Sequence, residues 1–270
     1  MASSRRNEGS DLGARVLAAV PLIAFAIFIV AQGGTVFAVG VALLGVMASA
    51  ELYRMMRRPG PPIVAGYLMV IALVFAARYG DREQVLLLLA ISVPVVFFFT
   101  LLRPELENAS WAMAVVFMGV LWIGMAVAHA MLLRKLPHGG GLLVDVLIGT
   151  FLGDTGAYFA GRSLGTRKLS PRLSPNKTVE GLIGGIAVGT FAFWFAGTYQ
   201  DWLNGIDALI IGASVAVAAP IGDLFESMIK RDNRVKDTGA VFGAHGGVLD
   251  RLDAVFFTIV TAYYVTLAVT

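Results

Sequence analysis

Long apolar segments, separated by short polar stretches, follow one another along the chain from residue 16 to its end. Each segment approaches the roughly 20 apolar residues that an α-helix needs to cross ~30 Å of hydrocarbon. Because backbone polar groups must be satisfied inside a membrane, the pattern predicts an all-α, polytopic membrane protein of about nine transmembrane helices. The predicted spans are Val16–Ala31, Thr35–Ala50, Ile63–Tyr79, Val85–Leu102, Trp111–Leu133, Leu142–Gly161, Leu182–Tyr199, Ile206–Phe225 and Ala254–Thr270.

Positive charges collect at alternate ends of these spans. With a cytoplasmic N-terminus, 17 of the 21 Lys and Arg residues fall in cytoplasmic stretches, which is the side where such residues accumulate. We therefore expect the N-terminus inside and the C-terminus outside. The same assignment places the two long polar connections, 162–181 and 226–253, together at the cytoplasmic face.

Composition narrows the classes of function. Hydrophobic residues make up 57% of the chain and charged residues 14%, whereas soluble domains are about 25% charged. The net charge of +3 gives no argument for nucleic acid, and the absence of cysteine excludes disulfides and thiolate chemistry. There is no Walker A or HExxH motif. We expect one integrated membrane domain, with structural or lipid-access helices in 1–140 and catalytic loops in 141–270.

Two aspartates near the last two spans are candidate metal ligands. In GDLFESMIKR, residues 222–231, Asp223, Ser227 and Lys230 share one helical face. An Asp–Lys pair that simply ends a helix would look the same, but ionisable groups in membrane helices usually indicate function. Asp250 lies in the first turn of the ninth helix, which begins at Val248, and a first-turn Asp is also common for structural reasons. Since Mg²⁺ is usually held by one or two carboxylates plus substrate phosphates, this pair fits it.

The connection GRSLGTRKLSPRLSPNKTVEG, residues 161–181, carries five cations and two Ser-Pro steps. A solvated loop explains the cations alone, but the stiff Ser-Pro steps and SPNKT at a helix start favour an ordered clamp for a polyanion. Asp154, in the preceding span, fits a structural acceptor, a cation site or a proton relay. Three other polar residues are interpreted as structural or interfacial: Asp145, His129 and His138.

Residues 227–253, SMIKRDNRVKDTGAVFGAHGGVLDRLD, resemble the signature of the phosphatidate cytidylyltransferases, also called CDP-diacylglycerol synthases. The fixed positions of that signature are all met: Ser-x-aliphatic-Lys-Arg, Lys-Asp, His-Gly-Gly and Asp-Arg-x-Asp. The block 153–181 is similar to a second family motif, so the resemblance covers about 100 residues. Family members more often carry Pro-Gly before His-Gly-Gly, where this chain has Gly243-Ala244.

The resemblance implies transfer of CMP from CTP to phosphatidic acid, giving CDP-diacylglycerol and pyrophosphate. It also implies a Mg²⁺-dependent, all-helical homodimer in the cell membrane, with its active site facing the cytoplasm. Because phosphoryl transfer depends on positioning and charge stabilisation, we assign Mg²⁺ to Asp223 and Asp250. Phosphate neutralisation is assigned to Lys177, Lys230 and Arg231. Further substrate contacts are expected from Ser174, Asn176, Thr178, Lys236, His245, Gly246, Gly247 and Arg251. Asp154, Asp237 and Asp253 are expected to orient cations or a second metal.

Two other functions fit the same sequence. Aspartates within the membrane and a glycine-rich helix that contains Pro220 are compatible with a secondary transporter. A CTP-dependent enzyme that acts on a polyprenyl or ether-linked lipid would need the same phosphate chemistry.

Overall fold

The computed structural model describes residues 24–239 and 247–270. In these residues the chain folds into a helical bundle in which one helix, α5, contains a π-helical stretch at Gly119–Gly124. The helices are α1 (24–32), α2 (Gly34–Met55), α3 (Ile63–Tyr79), α4 (Arg82–Leu101), α5 (Ala109–Lys135), α6 (Gly139–Leu164), α7 (Val179–Gly197), α8 (Gly205–Asp232) and α9 (Leu249–Val269).

The helices confirm a multi-pass helical membrane protein. Seven of those described are long and apolar enough to cross a bilayer, and α3, with 17 residues, is shorter. The second to ninth predicted spans each correspond to one helix. Several helices extend past the apolar segment, as α6 does to Leu164 and α8 to Asp232, because polar residues continue the helix beyond its membrane-facing part. Half of the first predicted span, residues 16–23, lies outside the described residues, so the total of nine spans and the orientation stay predictions.

A short antiparallel hairpin between α6 and α7 departs from the purely helical prediction. Strands β1 (Lys168–Ser170) and β2 (Ser174–Thr178) pair Lys168 with Thr178 and Ser170 with Ser174. The Ser-Pro steps that predicted an ordered loop lie at its turn and in β2, where proline is tolerated because the hairpin has open edges.

Side chains hold this hairpin against the helices. Glu180, in the first turn of α7, accepts hydrogen bonds from Thr166 Oγ1 at 2.9 Å and from Arg167 Nε at 3.0 Å. Arg231, in the last turn of α8, donates from Nε to the carbonyl oxygen of Leu173 at 3.1 Å. The two long polar connections therefore lie at the same end of the bundle, as the sequence predicted.

Small residues bring α6 and α7 into backbone contact. A Cβ atom on Gly185 would lie 3.0 Å from the carbonyl oxygen of Gly153, and one on Gly189 would lie 2.9 Å from that of Gly149. Both pairs repeat every four residues, so they occupy one face of each helix. In a lipid environment, such small residues allow the close van der Waals packing that holds helices together.

Polar contacts at the other end of the bundle are structural. Asp145 is buried and accepts a hydrogen bond from Gln200, and the ring of His138 stacks on Trp202 with centroids 5.2 Å apart. His129 is buried on α5, with Nε2 3.1 Å from the hydroxyl of Tyr264. These contacts fit the structural and interfacial roles predicted for the three residues.

Candidate active site

A cavity of about 700 Å³ opens between α6, α7, α8 and the hairpin. Polar side chains converge on it from three elements: Asp154 from α6, Asn176 and Lys177 from β2, and Asp223 from α8. Much of the remaining lining is small or apolar, and it includes glycines of the α6–α7 contact. A concave, largely apolar space with a few converging polar groups is the usual form of a small-molecule site.

An ion pair between Lys177 and Asp223 lies in this cavity. Lys177 Nζ contacts Asp223 Oδ2, and the two side chains keep 26% and 35% of their surface exposed. Asp154 lies near enough to interact electrostatically with both. The next residue, Thr178, caps α7 by accepting a hydrogen bond from the backbone N–H of Gly181 at 3.1 Å. The helix start thus fixes the end of β2 and, with it, the position of Lys177.

Pro220 also lines the cavity, one turn before Asp223. Proline has no backbone N–H, so the carbonyl oxygen of Ala216, which also lines the cavity, lacks its usual helical donor. This interruption of the backbone ladder lies where the cavity meets α8.

Asp253 connects the cavity to a second polar cluster. It is buried on α9, yet it interacts electrostatically with Asp223, Asp154 and Lys230. Helices α8 and α9 approach closely here, because a Cβ atom on Gly222 would lie 2.6 Å from the carbonyl oxygen of Asp253. Glycine at 222 therefore allows the acidic positions of the two helices to lie side by side.

Lys230 and Asp250 form the core of this second cluster. Lys230 Nζ lies 2.5 Å from Glu226 Oε2 and 2.8 Å from Asp250 Oδ1. Asp250 Oδ2 accepts from the backbone N–H groups of Gly247 at 2.8 Å and Thr238 at 3.0 Å, and it lies 3.0 Å from the Thr238 hydroxyl oxygen. Lys230 is thus held between two carboxylates, and its first effect is to fix Asp250. Its predicted contact with phosphate stays a prediction.

Glu51 of α2 completes the cluster, although it is not among the site residues predicted from the sequence. This side chain is buried, with Oε1 accepting from the backbone N–H of Val248 at 3.0 Å. Oε2 accepts from the N–H of Leu249 at 2.9 Å and lies 3.0 Å from the Thr238 hydroxyl, whose single proton is available to either Glu51 or Asp250. The available signal was a carboxylate inside an otherwise apolar helix, which is costly in a membrane unless it has a purpose.

The other predicted site residues lie near these two clusters. Arg231 contacts the hairpin turn, Ser174 is half-buried in β2, and Lys236 and Asp237 are exposed in the connection between α8 and α9. Arg251 is exposed in the first turn of α9, and Gly247 is buried beside Glu51. His245 and Gly246 lie outside the described residues, as do Gly243 and Ala244.

The assignment of a metal ion to Asp223 and Asp250 stays a prediction. Within residues 24–239 and 247–270, no group of three or more His, Asp or Glu side chains is arranged to hold a metal by itself. Asp223 and Asp250 pair with different lysines. Each has an oxygen with few described partners, since Asp223 Oδ1 meets the Ser227 hydroxyl at 3.4 Å and Asp250 Oδ1 meets Lys230. Mg²⁺ commonly takes one or two such carboxylates and fills its remaining positions with phosphate oxygens and water.

Comparison with known proteins covers nearly the whole chain. A family model described as "Cytidylyltransferase family" matches residues 13–269. A phosphatidate cytidylyltransferase of Bacillus subtilis is 32% identical over 270 residues, covering 94% of this chain and 97% of that protein. One of Synechocystis sp. is 29% identical over 282 residues, covering 93% and 94%. One of Haemophilus influenzae is 42% identical over 122 residues, covering 43% and 42%. The likeness thus extends well beyond the motifs in residues 153–253.

Proposed function

The chain belongs to the cytidylyltransferase family, and we propose on that basis that it transfers CMP from CTP to phosphatidic acid, giving CDP-diacylglycerol for phospholipid biosynthesis. The observation that carries this function is the cavity in which Lys177, Asp223 and Asp154 meet, in a multi-pass membrane protein that matches phosphatidate cytidylyltransferases along their length. A phosphate oxygen of the lipid attacks the α-phosphorus of CTP. The bond from that phosphorus to the bridging oxygen breaks, and pyrophosphate leaves.

This reaction needs charge neutralisation more than proton transfer. The second pKa of a phosphomonoester is about 6, so the attacking phosphate is largely dianionic at neutral pH. No strong general base is required, which agrees with a chain that has only three histidines. Two polyanions must instead be brought together, and phosphoryl transfer is catalysed mainly by positioning and by electrostatic stabilisation.

The two polar clusters divide this task in our proposal. Asp223 and Asp250 hold Mg²⁺, which when bound neutralises charge on the CTP phosphates. Lys177 is placed to move its ammonium group from Asp223 to a phosphate, since its side chain borders the cavity. Arg231 and Lys236 extend the positive surface beside it. Asp154, which lines the cavity, and Asp253, which is buried on α9, orient these cations or a second metal ion.

The lipid is proposed to enter the cavity from the membrane. Arg162 and Tyr158 of α6 line the cavity, with the Arg162 guanidinium donating to the Tyr158 hydroxyl at 2.8 Å. Leu182 and Ile186 of α7 line it as well. The phosphate head group would meet the cations near the hairpin, and the glycerol backbone would follow the apolar lining.

The location and assembly of the enzyme belong to the same proposal. The end of the bundle that carries the hairpin also carries most of the positive charge, which favours a cytoplasmic active site in the cell membrane. A homodimer is proposed from the family resemblance.

A reconstitution assay tests the reaction and its metal dependence together. Purified protein, supplied with phosphatidic acid, labelled CTP and Mg²⁺, should convert the label into a lipid-extractable product, and EDTA should stop the conversion. ATP in place of CTP should give little product, and a polyprenyl phosphate should not replace phosphatidic acid. The absence of lipid-extractable label with Mg²⁺ present would contradict the function, and continued turnover in EDTA would contradict the metal.

A further inference from the structure

The first turn of α9 receives its cap from another part of the chain. In the described part of the chain, the N-cap residue of this helix, Val248, provides no side-chain hydrogen bond to cap it. The unpaired N–H groups of a helix start need acceptors when they are buried. The backbone N–H groups of Val248 and Leu249 both donate to the carboxylate of Glu51, which belongs to α2 and lies 197 and 198 residues away in sequence.

The same carboxylate reaches Asp250 through one hydroxyl group. Thr238 Oγ1 lies 3.0 Å from Glu51 Oε2 and 3.0 Å from Asp250 Oδ2. The backbone N–H of Thr238 also donates to Asp250 Oδ2. Thr238 lies in the connection before α9, and Asp250 lies in the first turn of α9. Glu51 therefore contacts both segments between which the Thr238–Asp250 hydrogen bond forms.

Two glycines make room for the Glu51 side chain. A Cβ atom on Gly239 would lie 2.8 Å from Glu51 Oε1, and one on Gly247 would overlap Glu51 Oε2. The backbone on both sides of residues 240–246 therefore lies directly against this carboxylate. Glu51 itself is 1% exposed, and the N–H groups of Val248 and Leu249 help to compensate the burial of its carboxylate.

We propose that Glu51 is a positioning residue for the reaction: it caps α9 from α2 and, through Thr238, holds the Asp250 carboxylate in its working orientation. Its effect on catalysis rests on the proposed function, whereas its hold on the α9 start does not. Through this contact, α2 of the N-terminal part takes part in building the proposed active site. The catalytic loops had been predicted in residues 141–270 only.

The test compares Glu51→Gln with Glu107→Gln. Glutamine keeps the size of Glu51 but turns one oxygen into an N–H donor that faces other donors. Glu107 is an exposed glutamate in the connection between α4 and α5, at the same end of the bundle, so its variant matches the charge change. Amide hydrogen exchange of residues 247–253 is measured by mass spectrometry on both variants and on the unaltered protein. Steady-state rates are measured on the same three proteins.

In Glu51→Gln we expect amide exchange at Val248 and Leu249 to be about tenfold faster, and kcat to fall about tenfold or more, roughly the cost of one hydrogen bond to a charged group. The Mg²⁺ concentration for half-maximal rate should rise, a change that a purely structural role would not produce. Glu107→Gln should match the unaltered protein in all three measurements.

Faster exchange with an unchanged kcat would overturn the positioning role, and a lower kcat with unchanged exchange would overturn the mechanism through α9. If unaltered protein makes no lipid-linked nucleotide, the proposed function fails, and the exchange comparison still decides whether Glu51 holds α9. Should Glu51→Gln not fold, Thr238→Val and Thr238→Ser leave Glu51 in place. Valine, which lacks the hydroxyl, should lower kcat several-fold more than serine, and equal losses would overturn the proposal.

Discussion

Asp223 and Asp250 are each held beside a lysine, but in different surroundings. Asp223 borders the cavity and keeps about a third of its side chain exposed, while Asp250 is 13% exposed and enclosed by donors from Gly247 and Thr238. A metal ion or a phosphate that binds here must share or replace an existing ion pair. Removing the Asp223 charge therefore leaves Lys177 without its ion-pair partner, which is costly where water is scarce, whereas Lys230 keeps Glu226 when the Asp250 charge is removed.

Replacing either aspartate by asparagine should lower kcat by at least ~100-fold, the usual cost of losing a group that stabilises charge in the transition state. Asparagine keeps the size of the side chain and removes only its charge and metal affinity. Asp201→Asn, at the opposite end of the bundle, is the matched control and should retain the normal rate. Initial rates of lipid-linked nucleotide formation measure the effect, and near-normal turnover in either variant would remove that residue from the proposed metal site.

Single residues differ in how far the sequence could predict them. The shared face of Asp223, Ser227 and Lys230 could be predicted because their spacing of four and three residues places them on one side of a helix. The roles of Lys177 and Arg231 came from the family resemblance. Glu51 stood out only as a carboxylate in an apolar helix, and its role could not be predicted, because its partners are 187 to 198 residues away and only the folded chain brings them together. Asp250 was predicted as a metal ligand, but its hydrogen bonds to Thr238 and Gly247 became visible only in the structure.

At the scale of elements, the apolar pattern predicted the helices well and the hairpin poorly. Nearly every predicted span corresponds to a helix, because the backbone N–H and C=O groups of a segment in lipid must hydrogen-bond within that segment. The strands β1 and β2 have three and five residues, too few for a pattern of alternation to be recognisable. Their pairing also depends on Glu180 and Arg231, which reach the hairpin from two different helices.

The close approach of α8 and α9 gives a prediction at this scale. Gly222→Ala should lower both the thermal midpoint of unfolding and the rate, because the new Cβ atom would lie 2.6 Å from the backbone oxygen of Asp253 and must push the helices apart. Overpacking of this kind costs about 1–3 kcal/mol. Gly205→Ala, on the same helix, is the control, since its Cβ atom would have its nearest neighbour at 3.5 Å, on the Trp194 side chain. Equal behaviour of the two variants would contradict the close packing.

On the scale of the whole molecule, polar contacts between connections show which connections lie at the same end of the helical bundle. Arg103 Nη2 donates to the carbonyl oxygen of Pro59 at the end that carries the hairpin, and Lys135 Nζ donates to that of Ala77 at the opposite end. Each end gathers alternate connections, as expected for a chain that crosses a membrane back and forth. Asp145 lies at one end and Asp223 at the other, which gives little support to a transport site near the middle of the membrane.

The natural absence of cysteine allows a direct test of orientation. Arg58→Cys and Asp201→Cys each introduce a single thiol at an exposed position, at opposite ends of the bundle. In intact cells, a membrane-impermeant maleimide should label Asp201→Cys and leave Arg58→Cys unlabelled until the membrane is opened. The reverse pattern would place the candidate active site outside the cell and contradict the cytoplasmic assignment.

Transfer of the α-phosphorus of CTP tests the central claim most directly. Purified protein is supplied with phosphatidic acid and Mg²⁺, and with CTP labelled either at the α-phosphorus or at the γ-phosphorus. A cytidylyltransferase places the α-label in the lipid and leaves the γ-label in water-soluble pyrophosphate, and that is the result we predict. A γ-label in the lipid, as a CTP-dependent kinase would give, or no label in the lipid from either nucleotide, would contradict the account.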